Sequence, residues 1–405
     1  MTALKVDSKG NQLFKGERER KDGRYEFRYT NYKGEKKSIY THRLQRLRIE
    51  EAKIAFLERI KIINNLEELT LNDMYEMWIV TKCDLKENTL IGYQSTYDSY
   101  VRNNLGKYNL EEIKKIDVKT YYRNMMLDKS LSIETISRIQ NILYQIFQHA
   151  VDSDIIMKNP ADKAMNDLRR NHPKRLNVRK GIYEKQADAF TDFMVSSEEF
   201  IRWYPIFYIM IHTGMRLGEA LSLRWCDVNF EKGYVDVNHN ISYYKREGEV
   251  KARYHASTGT KTIAGNRKIP FGRKVEKAFM MEKEYQVKNG ISCIQEIDGY
   301  NDFVFLNRFG KVYDPSVLNK TLTRIVEKYN MLHEDKQEEV LPHLSCHSLR
   351  HTYAIILCER DVNIKVMQKL LGHKDISTTM DIYTQIRQEF AFEEYARRCK
   401  GEESY

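Results

Sequence analysis

Apolar and polar residues alternate with period two near the start of this chain and change to a helical period after residue 41. Tyr25, Phe27 and Tyr29 alternate with Glu26 and Arg28 between two turn-forming runs, Lys21-Asp-Gly-Arg24 and Lys33-Gly-Glu. With Ser38-Ile-Tyr-Thr41 next in the chain, the pattern predicts short antiparallel strands. Leu44, Leu47, Ile54, Phe56, Leu57 and Ile60 then recur at helical spacing, predicting one helix behind the sheet. Residues 66–165 carry helical patterns only. Helices are predicted from Leu69, over Thr89–Asn103, after Ile113–Val118 and over Ser132–Val151. In the last, Ile136, Ile139, Ile142, Leu143, Ile146 and Phe147 form one stripe. Asn159-Pro160 closes the block.

Residues 169–180 hold six Lys and Arg and no acid, around a proline, and read as a basic linker. A further block begins at about residue 195. Phe200–His212 is an apolar helix stopped by Gly214, Tyr234–Val237 and Ile241–Tyr244 are strands, and Ala256–Pro270 reads strand–turn–strand. Pro315–Tyr329 is another helix, and residues 386–400 form a charged amphipathic tail. The fold class is therefore multidomain. A small α+β N-terminal domain (three-stranded sheet plus helix) precedes an all-α domain and a mixed, mainly-α C-terminal domain with a small antiparallel sheet.

Charge refines this picture. Residues 1–50 hold 14 Lys and Arg against 7 Asp and Glu, so +7 of the net +10 lies in the first eighth of the 405-residue chain. Clustering of that kind suits a polyanion, most simply nucleic acid, and a β-ribbon fits the major groove. Arg18, Arg20, Lys21, Arg24, Arg28, Lys36 and Lys37 are the candidate DNA contacts there, with Arg169, Arg170, Lys174 and Arg175 in the linker. The six cysteines lie far apart with no CxxC pair, which opposes a zinc module or disulfide framework and fits a reducing cytosol. No apolar run approaches a membrane span and no signal-peptide pattern opens the chain, so an intracellular protein without membrane attachment is expected.

The candidate chemistry lies between His343 and Tyr383. His347 and Arg350 are three residues apart on one helical face, His373 follows Leu370-Leu-Gly372, and Tyr383 comes ten residues later. A guanidinium fork matches two phosphate oxygens and an imidazole adds a donor or takes a proton. These groups would make a cationic cradle for a phosphodiester beside a phenol able to attack it. Upstream, Arg216 stands at a helix start in Thr213-Gly-Met-Arg216, with Glu219 one turn on to orient it. Each piece is common alone; their order and spacing are not.

That ordered set resembles the tyrosine recombinases, the phage lambda integrase family. Arg216 and Glu219 match its TGxRxxE, Lys261 the β-hairpin lysine (Lys251 and Lys268 are near), His347 and Arg350 its HSLRHT, His373 its LLGH, and Tyr383 the nucleophile. The GERxRKDGRYxFxY run at the N-terminus is similar to integrases of conjugative transposons. The resemblance implies an arm-type DNA-binding domain over 1–65, a helical core-binding domain over 66–168, a linker over 169–185 and a catalytic domain over 186–405. It implies site-specific integration and excision of a mobile element through a 3′-phosphotyrosyl intermediate, with no cofactor and no metal. Arg216, Arg350 and His373 would neutralise the phosphate, His347 would deprotonate Tyr383, and Lys261 would protonate the leaving oxygen. The implied partners are double-stranded DNA, a homo-tetramer joined through the tail, an excisionase-type accessory protein and a host DNA-bending protein, in the bacterial cytoplasm at the nucleoid. The alternatives are a type IB topoisomerase-like enzyme, which the extra basic domain opposes, and a non-catalytic DNA-binding protein, which the complete residue set opposes.

Overall fold

The computed structural model describes the chain except residues 1–4, 31–33, 49, 52–53, 55–68, 83–84, 86, 172–180, 245–251, 258–264, 336–338, 378, 381, 385 and 387–405. The predicted tail beyond Ile386 and most of the second half of the predicted 41–63 helix lie outside the described residues. The chain divides into two compact units, the first running to Asn177 and the second from Val178 onward, 245–251 excepted.

The first unit opens with an antiparallel sheet ordered β1 (Glu17–Glu19), β2 (Tyr25–Thr30), β3 (Lys36–Thr41). Arg18 pairs with Glu26, Glu26 with Tyr40, and Arg28 with Ser38. Because side chains alternate across a strand, this register sorts the two faces. Tyr25, Phe27 and Ile39 pack with Leu13, Leu44 and Leu47 in a small core. Arg18, Glu26, Arg28 and Tyr40 occupy the other face.

A second core in this unit is built by α1 (Leu71–Val80), α2 (Glu87–Thr96), α3 (Lys115–Leu127), α4 (Ile133–Asp152) and the short α5 (Asn166–Asn171). Thr70 and Asp73 form a reciprocal cap that fixes the start of α1. The six-residue stripe of α4 is wholly buried. The helix predicted over Thr89–Asn103 departs from the expectation: α2 buries no residue, and the chain widens into a π turn over Tyr97–Val101. The wider turn carries Tyr97 and Val101 inward, where the Tyr97 ring stacks 3.7 Å from that of Tyr75.

The second unit holds α6 (Glu184–Ser196), α7 (Tyr204–Thr213), α8 (Leu217–Ser222), β4 (Val228–Asn229), β5 (Tyr234–Val237), β6 (Asn240–Tyr244), β7 (Arg253–Ser257), β8 (Arg267–Pro270), α9 (Arg273–Lys288), α10 (Pro315–Met331), α11 (Cys346–Glu359) and α12 (Ile364–Leu371). Two expectations are corrected here. The strands read as one hairpin across 256–270 join different sheets, β7 pairing with β6 and β8 with β5. Local alternation marks a strand without naming its partner. The linker read over 169–185 is also shorter at both ends. Arg169 and Arg170 close α5, while Ile182 is buried in the second unit, its N–H donating to Thr352 at 3.2 Å.

Helix α7 is apolar almost all round and lies in the main core, as such a helix must. Helix α11 is buried from Leu349 to Cys358 and separates two apolar clusters. Leu349 and Ile356 join the main core. Tyr353, Ile355 and Leu357 join a smaller one with Met367, Leu371, Ile382 and Ile386, against which Tyr383 packs. This second cluster brings α11, α12 and the Tyr383 segment together.

Candidate active site

Gly214 ends α7 in the left-handed conformation, φ 60°, and turns the chain so that Arg216 becomes the cap residue of α8. Glu219, one turn on, accepts the Arg216 backbone N–H at 2.8 Å and its Nη1 at 2.7 Å. The Arg216 side chain remains 41% exposed, whereas Glu219 is buried. A second guanidinium, Arg267 of β8, forks onto the same carboxylate through Nη2 at 2.8 Å and Nη1 at 3.2 Å. Burial works to raise the Glu219 carboxyl, but Arg267 and Arg216 outweigh it and hold the group at about 2, so it is ionised at neutral pH.

The C-terminus of α12 meets three arginines. Arg267 Nε donates to the Leu370 carbonyl at 2.6 Å, Arg350 Nη2 donates to the Leu371 carbonyl, and Arg216 Nη2 donates to the Gly372 carbonyl at 3.3 Å. The last carbonyls of a helix have no partner within it and form the negative end of its dipole, so cations belong there. Arg350 is itself buried and ties this point to α7, its Nη1 donating to the Gly214 carbonyl at 2.8 Å. Burial, then the neighbouring Arg216, lower Arg350 to about 9, which leaves it protonated at neutral pH.

Gly372, left-handed at φ 64°, releases His373 from this turn. Its Nδ1 lies 2.9 Å from the Thr379 hydroxyl, and Thr379 is fully buried, so the ring orientation is set from within the protein. His347 is exposed in the first turn of α11, edge-on to His351 with ring centres 4.8 Å apart. Tyr383 is half-buried and packs against the small cluster that includes Leu371 and Ile382. Arg216, Glu219, Arg350 and the carbonyls preceding His373 thus form one bonded cluster. Tyr383 packs against the apolar cluster to which Leu371 of α12 belongs, and His347 lies one turn before Arg350. Lys261 and Lys251 lie outside the described residues. Lys268 alternates to the face of β8 opposite Arg267, with Nζ 4.7 Å above the Tyr234 ring. Sequence reasoning missed Arg267 and Thr379. The basic residue before Lys268 in the strand was the available signal for the first, and the one-turn spacing from Thr379 to Tyr383 for the second.

The basic residues of the first unit are not all on one surface. Arg28 donates to Glu26 at 2.8 Å, Arg18 also bonds it, and Arg20 approaches within 3.8 Å, covering this carboxylate completely. Lys36, opposite Thr30, shares their face, whereas Lys37, opposite Tyr29, lies on the other. The seven candidate DNA contacts therefore do not share one face of the sheet. Lys21 and Arg24 sit in the β1–β2 turn, Arg24 forked on Asp22 at 2.7 and 3.0 Å. Arg169 and Arg170 are exposed, and Lys174 and Arg175 lie outside the described residues. Among the described residues no cluster of three His, Cys, Asp or Glu is arranged to hold a metal ion, and no helix is long and apolar enough to cross a membrane.

Comparison with known proteins gives this arrangement its context. Residues 180–389 match the model of the phage integrase family, 1–62 the DNA binding domain of Tn916 integrase, and 70–126 the phage integrase N-terminal SAM-like domain. The transposase from transposon Tn916 of Enterococcus faecalis is 28% identical, over 99% of this chain and 98% of the relative. The transposase from transposon Tn1545 of Streptococcus pneumoniae is also 28% identical, over the same shares. A solved structure of the Tn1549 transposon integrase in complex with transposon right end DNA is 27% identical, with a TM-score of 0.68, covering 78% of this chain and 95% of that one. Fold and matches define a DNA strand-transferring enzyme of the tyrosine recombinase class. The chain belongs to the phage integrase family.

Proposed function

We propose that this recombinase integrates and excises a mobile element of the conjugative transposon type, cutting DNA through Tyr383. In this reading the Tyr383 oxygen forms a bond to the scissile phosphorus while the bond from phosphorus to the 5′ oxygen breaks. The phenol proton passes to His347, and Lys261 supplies a proton to the departing 5′-hydroxyl. Arg216, Arg350 and His373 offset charge on the non-bridging oxygens. The resulting 3′-phosphotyrosyl bond keeps the energy of the phosphodiester, so a 5′-hydroxyl from another strand can reverse the step and join new partners. The observation that carries this reading is the bonded meeting of Arg216 and Arg350 at the turn that releases His373.

Exchange between two duplexes breaks four strands, and each chain offers one nucleophile, so four copies act together on DNA, with residues 386–400 linking neighbours. The N-terminal sheet reads arm-type sites through the Arg18, Arg20, Arg28 and Lys36 face. The helical block and the second unit hold the duplex at the cut. An excisionase-type protein and a host DNA-bending protein assist, and the enzyme works in the cytoplasm on nucleoid DNA.

The test is a nicked suicide duplex carrying the end of the element that encodes this chain, incubated with EDTA and run on a denaturing gel. Wild-type protein is expected to give a covalent protein–DNA band that Tyr383→Phe lacks. Tight binding to that duplex without any covalent band would defeat the catalytic reading.

A further inference from the structure

We propose that Arg267 is a positioning residue for strand transfer, holding Glu219 and the end of α12 so that Arg216 and His373 address one phosphate. This rests on the catalytic reading above. The Arg267 side chain is only 5% exposed, so it is not available to DNA. Its donors instead reach two distant segments and the turn just before its own strand. Nη1 and Nη2 fork onto Glu219, Nε reaches the Leu370 carbonyl at 2.6 Å, and Nη1 also reaches the Gly265 carbonyl at 3.0 Å.

The two distant segments lead to different parts of the proposed chemistry. Glu219 orients Arg216 at 2.7 Å. Leu370 lies three residues before His373. One guanidinium therefore fixes the attachments of two of the proposed active groups.

Charge balance alone does not account for it, because Arg216 already pairs with Glu219. Two cations on one carboxylate, one buried and one 41% exposed, divide the work. The inner one supplies rigidity, and the outer one keeps exposed surface for a ligand. The task also requires a guanidinium. A lysine ammonium is a point charge on a flexible stem and lacks the planar fork that bonds a carboxylate bidentately while a third donor points elsewhere.

The experiment measures single-turnover covalent-adduct formation by the full chain on the same suicide duplex, alongside gel-shift affinity and thermal unfolding. Arg267→Lys is expected to slow adduct formation about 100-fold while affinity changes by less than about twofold. In an Arg216→Lys background the same change is expected to cost less than about threefold more, because both act through one arrangement. The paired Arg267→Met, Glu219→Gln variant removes the buried charges together, which preserves folding better than leaving one unpaired, and is expected to be as slow. Wild-type rates in Arg267→Lys or in the paired variant would overturn the proposal. So would a loss that multiplies in full with that of Arg216→Lys. A wild-type protein that gives no adduct defeats the catalytic reading, and this proposal with it, before any variant is compared.

Discussion

The Thr379 hydroxyl holds the His373 ring at Nδ1. Thr379→Val keeps the side-chain shape at this fully buried position and removes the partner of Nδ1. Loss of one such bond corresponds to roughly tenfold slower adduct formation with the fold intact, readable in single-turnover assays. An unchanged rate would mean that the ring is held by something else. Gly214 is constrained twice, by φ 60° and by the Tyr353 ring, whose Cδ1 would lie 2.3 Å from an added Cβ. Gly214→Ala is expected to cost about 2 kcal/mol or more, seen as a lower urea midpoint, because strain and overpacking add at one point. It also moves the carbonyl that Arg350 bonds; a stability equal to wild type would contradict this account. At this scale, residues with local signatures are legible. Gly214 and Gly372 are readable as helix stops, and the three-residue spacing of Arg216 and Glu219 foretells their pairing. Arg267 is legible only as a basic residue beside Lys268 in a short strand; its pairing is not, because its carboxylate partner lies 48 residues away.

Among the elements, period-two alternation does more in the N-terminal sheet than composition suggests. Adjacent lysines at 36 and 37 are equivalent in a charge count, yet the β2–β3 register sends them to opposite faces. If the face bearing Arg18 and Arg28 meets DNA, Lys36→Gln lowers the slope of log affinity against log salt by about one, while Lys37→Gln leaves it unchanged. Titrating the full chain with duplex DNA over a range of salt reads both, and equal slopes for the two variants would sink the assignment of the face. The same alternation marks β7 and β8 as strands and still misjudges their pairing, since the choice between β5 and β6 depends on tertiary packing. The π turn at Tyr97–Val101 is invisible in the sequence for a related reason. Its extra residue exists to bury Tyr97 against Tyr75, a contact 22 positions apart.

For the whole molecule, the change of hydrophobic period after residue 41, the all-helical stretch and the later mixture of strands and helices are enough to read the architecture. Long stripes such as Ile136–Phe147 survive any detail of packing, which is why large elements are legible where junctions are not. The basic run at 169–180 reads as wholly linker because charge pattern alone does not separate the last turn of α5 from the residues beyond it. The arginine contacts at residues 370–372 carry a different consequence. All three guanidiniums bond main-chain carbonyls, so the side chains of Leu370 and Leu371 take no part in that recognition. Mutational drift at those two positions is filtered by apolar fit alone, and at Gly372 by backbone conformation. The three arginines have no such freedom. Descendants of this chain can rewrite one side of the joint while inheriting its geometry intact.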